Sequence, residues 1–279
     1  EVLARHTYGH RAEWMIQVLN KKISGIHEEE PVSMNEKPIS YYENVRNDLI
    51  PLIPNDARCI LEVGCASGMT GWELKRRYGA FVAGIELNAN AANAAKDVLD
   101  DVVHGDIEKI DLPYSDSSFD CILFADVLEH LIDPLTALVK VRRLLKKGGS
   151  VVASIPNVQF HGVIHQLIEG NWTYEKEGIL DETHLRFFTY KEIEKIFSQA
   201  GYSIQKVEEV LDPQYEKFSL NNTTALNFGR TQVKDLSPEE IKRFFVFQYQ
   251  VIAEPINVNK NEENDMFQHK ETLFKIDNL

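Results

Sequence analysis

The chain has 279 residues, 43% of them apolar, and a formal net charge of −13. That length buries one large core with room for an accessory piece, and the acidic balance argues against a nucleic-acid surface, which needs clustered Lys and Arg. Cys59, Cys65 and Cys121 make no CxxC pair and no even set, so they read as reduced, buried thiols of a cytoplasmic protein, and no apolar run reaches the roughly 18 residues of a membrane span.

In chain order, residues 1–54 read as an N-terminal helical lid or extension. Trp14, Val18 and Leu19 predict a short helix, and a second helix is predicted over 41–52, bounded by Pro51 and Pro54. Residues 55–256 read as one domain. Apolar runs at 58–63, 80–86, 101–104, 119–125 and 150–155 predict buried parallel strands. Helical segments separate them. Asn88 is a candidate N-cap, and Asp133 with Pro134 opens a helix expected to stop at Gly148-Gly149. Thr189 to Glu192 has the spacing of a capping box. Residues 202–211 and 244–253 predict a closing antiparallel strand pair, with insertions at about 157–189 and 212–240. The expectation is an α/β, doubly wound sheet, mostly parallel with a final antiparallel strand and helices on both faces. Residues 257–279 are polar and read as a tail or a linker.

The densest signal is Arg58-Cys59-Ile60-Leu61-Glu62-Val63-Gly64-Cys65-Ala66-Ser67-Gly68-Met69-Thr70-Gly71. An apolar run carrying an acid near its end leads into a glycine-rich turn, then into helical spacing. Glycines let a ligand approach the backbone closely. The acid offers an acceptor for a ligand hydroxyl or ammonium. A dinucleotide fingerprint needs glycine at the three slots of G-x-G-x-x-G. Those slots hold Gly64, Ala66 and Met69. The mismatch removes the pyrophosphate cradle and counts against a nicotinamide oxidoreductase.

Leu61-Glu62-Val63-Gly64-Cys65-Ala66-Ser67-Gly68 resembles the first motif of class I S-adenosylmethionine (SAM)-dependent methyltransferases, with Ala66 replacing the middle glycine. Further pieces follow in the family's order: Gly84 to Asn88, His104 to Ile107, and Phe119 to Asp126. The likeness covers about residues 41–210. It implies a Rossmann-like fold with SAM as cofactor. Glu62, Gly64, Cys65, Ala66 and Gly68 would surround its methionine part. Glu86, followed by Leu87, would accept the ribose hydroxyls. Asp106 and Ile107 would meet the adenine, and Ala125 and Asp126 the methyl end. Tyr42 and Arg46 would cover the cofactor and pair its carboxylate.

Methyl transfer mostly needs alignment and exclusion of water, and a hydroxyl acceptor also gains from a general base. His130, in the run 126–134 after the fourth strand, is the first candidate base. This run is similar to the E-x-x-E-H segment of metal-assisted quinone-ring and small-RNA methyltransferases. No metal is expected, because metal-free relatives share the Glu-His pair. Asp126, Glu129 and His130 would be the ligands of one. The −13 charge disfavours RNA.

Residues 171–189 hold His184, read as a second base or a structural hydrogen-bonding group, while Phe187 and Phe188 read as core. This segment is similar to one in bacterial methyltransferases found beside or fused to glycosyltransferases in surface-polysaccharide pathways. The resemblance therefore implies methyl transfer to an oxygen of a small molecule or glycan. The alternative is a non-catalytic SAM-binding module of a larger glycan-assembly polypeptide, motivated by the start at Glu1 and the polar end.

Overall fold

The structure is a computed structural model that describes residues 44–219 and 224–256. The helix expected near Trp14, the residue Tyr42 and the 257–279 segment lie outside the described residues.

The apolar runs form parallel strands β1 (Cys59–Val63), β2 (Phe81–Glu86), β3 (Asp101–His104), β4 (Phe119–Ala125) and β5 (Leu145–Pro156). Period-2 alternation divides their side chains between two cores. Leu61, Val63, Ile122, Phe124 and Val151 join one cluster, whereas Ile60, Val82, Cys121, Leu123 and Val152 join another. A strand buried on both faces is apolar at nearly every position, which is why these runs lack polar alternation.

Helices α1 (Met69–Tyr78), α2 (Ala89–Ala95) and α3 (Pro134–Arg142) connect these strands. Asn88 caps α2 by accepting from the Asn90 and Ala91 amides. Asp133 caps α3 by accepting from the Thr136 amide, with Pro134 in the first turn. Helix α3 stops at Arg142, short of the expected Gly148-Gly149. The Ser118 and Phe119 amides capture the Leu144 carbonyl, so the chain is already paired with β4 before Leu145.

The helix expected over 41–52 is also shorter. Within the described part only a 3-10 turn, Ile50–Leu52, forms. Pro51 has no N–H and fits only the first turn of a helix. Leu49, Ile50 and Ile53 still bury fully against β1, β2 and β4.

After β5 come α4 (His161–Ile168), α5 (Tyr190–Gln199), β6 (Tyr202–Leu211) and α6 (Gln214–Ser219). A small hairpin follows, β7 (Leu226–Phe228) with β8 (Thr231–Val233), then α7 (Pro238–Arg243) and β9 (Val246–Pro255). Leu226, Phe228, Ile241, Phe244 and Phe245 give this insertion its own core against α4.

The seven-stranded sheet has the order β3-β2-β1-β4-β5-β9-β6. Strand β9 runs antiparallel to both β5 and β6. The last strand is therefore the reversed one, as expected, and it is wedged inside the sheet. Order reverses between β1 and β4, which opens a crevice at the carboxyl ends of those strands, the usual ligand position in open α/β sheets.

Candidate active site

The loop after β1 turns through left-handed residues Gly64 (φ +70°), Ala66 (φ +50°) and Gly68 (φ +82°). Gly64 also makes room for Val127, since a Cβ there would stand 2.6 Å from Val127 Cγ2. The Gly64 amide donates to the Ile85 carbonyl at 2.8 Å. The Ala66 amide donates to Glu86 Oε2 at 2.9 Å, and the Asn88 amide to Glu86 Oε1 at 2.7 Å. The Glu86 carboxylate thus sits at the end of β2 facing the loop. Leu87, beside it, is 68% exposed.

Asp106 follows β3 and accepts from Lys109 Nζ at 2.6 Å and the Glu108 amide at 3.0 Å. The Lys109 ammonium holds its carboxyl below the usual range. Ile107 is buried in the core next to it.

Two of the predicted cofactor residues, one in β1 and one in the loop, are buried. Glu62 is 2% exposed and accepts from the Gly71 amide, while its Oε2 has no hydrogen-bond partner. Burial pushes its carboxyl up to about 8, the Gly71 amide opposes the rise, and Glu86 adds to it. Cys65 is buried as well, and burial raises its thiol well above the ordinary range.

Asp126 follows half-buried Ala125 and adopts φ +54°. Arg46 forms an ion pair with its Oδ2. The Ser154 hydroxyl donates to Oδ1 at 2.9 Å, and the Gln248 amide group donates to the same oxygen. Arg46 also pairs with Asp48 at 2.8 Å and donates to Gln248 Oε1 at 3.1 Å. Burial raises the Asp126 carboxyl, with Arg46 opposing.

Beyond Val127, Leu128–His130 form a 3-10 turn. Residues 181–189 cross this turn, and the Leu185 and Arg186 amides both donate to the Glu129 carbonyl, at 2.8 and 3.0 Å. The crossing brings His184 to His130, with rings perpendicular and centroids 4.7 Å apart.

Each imidazole is held through Nδ1. For His184 the partner is the Ile179 carbonyl at 2.9 Å. For His130 it is Thr183, whose carbonyl and Oγ1 both lie at 3.2 Å. The Thr183 hydroxyl gives its own proton to Asp181 at 2.7 Å, so it accepts from His130. These acceptors assign the proton of each neutral ring to Nδ1 and leave the lone pair on Nε2. His184 Nε2 lies 4.0 Å from Glu129 Oε1.

Glu129 is 1% exposed, and its Oε2 has no hydrogen-bond partner. Burial first, and the Asp126 charge second, push its carboxyl well above the usual range. Candidate ligand atoms of Glu129, His130 and His184 lie within 4.8 Å of one another.

The family described as "Methyltransferase domain" matches residues 34–207 of this chain. The chain belongs to the class I SAM-dependent methyltransferases. It is similar to a ubiquinone biosynthesis O-methyltransferase of Maricaulis maris, 28% identical over 185 residues, covering 63% of this chain and 71% of that protein. A protein of the same name from Cereibacter sphaeroides is 24% identical, covering 75% and 86%. Among solved structures, a SAM-dependent methyltransferase from Thermotoga maritima shares the fold, with a TM-score of 0.50, 19% identity and coverage of 74% and 86%.

The donor set of this methyltransferase suits SAM. Glu86 uses both carboxylate oxygens on backbone amides, yet each keeps a further acceptor lone pair for a ribose hydroxyl. Leu87 offers an exposed apolar surface beside it, and Asp106 a second acceptor. Loop residues 64–68 carry no basic side chain, which matches a cofactor without phosphate.

The structure thus places Glu86, Leu87, Asp106 and the 64–68 loop at the carboxyl ends of the neighbouring strands β1, β2 and β3, and His130 with His184 beyond the end of β4. Arg46 reaches Asp126. The sequence reading did not single out Ser154, Gln248 or Thr183. Ser154, Gln248 and Gln250 are polar interruptions of apolar strands, a signal that was present in the pattern.

Proposed function

We propose that this methyltransferase acts on a hydroxyl oxygen of a small molecule, with His130 and His184 as the proton-accepting groups. The histidine pair carries the reading. Two rings of one tautomer, each anchored by backbone carbonyl, meet over a buried carboxyl directly beyond β4. When bound, SAM supplies an electrophilic methyl group. The chain's part is to orient the hydroxyl, exclude water and take its proton on a histidine Nε2. An imidazolium formed at His184 would lie 4.0 Å from Glu129 Oε1. The relatives named O-methyltransferases support an oxygen acceptor. Exposed Ile132, Leu185, Trp172 and Tyr174 offer apolar and aromatic surface to the carbon skeleton of an acceptor. Three free cysteines fit a cytoplasmic location.

The test is methyl transfer from labelled SAM to catechol, sugar and amine acceptors. Hydroxyl acceptors turn over, and His130→Ala lowers kcat by about 10²–10⁴-fold with S-adenosylhomocysteine affinity unchanged. Transfer to amines alone, or full rates in both His130→Ala and His184→Ala, rejects the reading.

One observation favours a second reading, a divalent ion at Glu129, His130 and His184. Their candidate ligand atoms converge, Glu129 Oε2 lacks a partner, and both Nδ1 atoms are held by acceptors as in metal-ligating histidines. Two imidazoles and a carboxylate suit a first-row transition metal. His184 takes the place expected for Asp126, which Arg46, Ser154 and Gln248 engage instead. Equilibrium dialysis should find one ion in the wild type and none in Glu129→Ala. Full activity after chelation, with no ion bound, removes this reading.

A further inference from the structure

We infer that the cavity between α4, the 172–187 segment and α7 is a subsite for the apolar body of an acidic small molecule. The inference deepens the proposed function and rests on it, because it names the acceptor class reacting at His130 and His184.

The cavity holds about 600 Å³, inside the ~300–1,000 Å³ typical of small-molecule sites. Its lining is mostly hydrocarbon. Helix α4 contributes Val163, Ile164 and Leu167, and Phe244 closes the far wall. Leu167 is 51% exposed and Trp172 38% exposed. Large apolar side chains left this open, around a concave surface, mark a place where something else is buried.

The cavity is tied to the reacting end by one side chain. Phe187 lines the cavity and stands edge-on to Trp172 at 5.2 Å. The His184 ring is 6.4 Å from the same Phe187 ring. A ligand lying along Trp172 is therefore one aromatic ring away from the histidine pair.

Charge selects among apolar occupants. Arg243 and Lys191 border the cavity, against a single acid, Glu240. Arg243 is held over the Tyr190 ring at 5.2 Å. Lys191 lies in the first turn of α5, whose ten-residue helix directs its positive end the same way. In a chain of net charge −13 this is a local reversal of sign. Glu240 faces both cations and offsets one of the two charges, so a net positive charge remains and a cationic amphiphile is repelled. A carboxylate on an alkyl or aryl body satisfies both the walls and the rim.

The test titrates decanoate, decanol and decyltrimethylammonium, each below its micelle concentration, into the full chain. Calorimetry and tryptophan fluorescence report binding. Decanoate saturates at one per chain and binds about tenfold or more tighter than the cation. Arg243→Gln weakens decanoate about tenfold and leaves decanol within about twofold. Val163→Trp fills the cavity and removes both ligands. Should that variant fail to fold, Leu167→Glu, on the exposed rim, weakens decanoate by repulsion without disturbing the core.

Absence of saturable decanoate binding overturns the inference. So does binding untouched by Arg243→Gln and Leu167→Glu, or association only with anionic vesicles. Failure here with intact hydroxyl methylation discards the subsite alone. Intact decanoate binding without hydroxyl methylation discards the histidine reading instead.

Discussion

Glu62 is an acid enclosed with its charge disfavoured. Its carboxyl titrates near 4.5 when unfolded and near 8 in the fold, because burial penalises the anion. Between those values the folded chain holds a proton that the unfolded chain releases, so stability falls as pH rises through this window. Glu62→Gln keeps an acceptor for the Gly71 amide and removes the ionisation. Melting curves should show the variant gaining Tm over the wild type as pH approaches 9, with the gain shrinking towards pH 4. A constant difference across that range refutes the assignment. The sequence showed an acid near a strand end, which reads the same whether its side chain enters the mouth or the packed face. The missing Cβ of Gly71, where one would lie 2.9 Å from Glu62 Oε2, is the packing detail that admits this carboxyl. His184 illustrates the converse. Its residue type was legible as chemistry, but its meeting with Glu129 was not, because the two belong to segments distant in sequence that meet through folded contacts such as those of Thr183, Leu185 and Arg186.

At the scale of elements, the loop 64–68 is set by its neighbour Val127 as much as by its own residues. Gly64→Ala adds a Cβ at φ +70° and 2.6 Å from Val127 Cγ2, which should cost about 1–3 kcal/mol in urea unfolding. Adding Val127→Ala removes the collision and should recover part of that loss, leaving the strain of the left-handed backbone. Strictly additive effects would show that the two residues do not press on each other. The strands of this part were readable because burial on both faces leaves near-continuous apolar runs. Helix ends were less so. The glycines at 148 and 149 look like a helix stop, but they lie within β5, where the edge of β4 had already captured the chain at Leu144. The position of β9 between β5 and β6 depends on pairing between segments distant in sequence, and no local pattern encodes it.

For the whole molecule, cofactor occupancy and stability are linked, since a ligand bound only by the folded chain stabilises it. S-adenosylhomocysteine at about 100 times its Kd contributes about 2.7 kcal/mol, which corresponds to a rise in Tm of about 5–10 °C for a protein of this size. Glu86→Ala should erase most of that rise in a thermal-shift measurement, and a full shift in the variant would remove Glu86 from the binding set. The sheet was largely predictable, since it repeats a common pattern of strand, turn and helix. The path of residues 157–189 was not, because this insertion takes its conformation from the turn it lies across. That crossing has a consequence for redesign. The Leu185 and Arg186 amides are sewn to the Glu129 carbonyl, so the inserted segment and the turn it covers are joined through backbone alone. A chimera that replaces residues 157–189 with a relative's segment keeps its footing on this turn only where the incoming chain presents the same two amides to the Glu129 carbonyl.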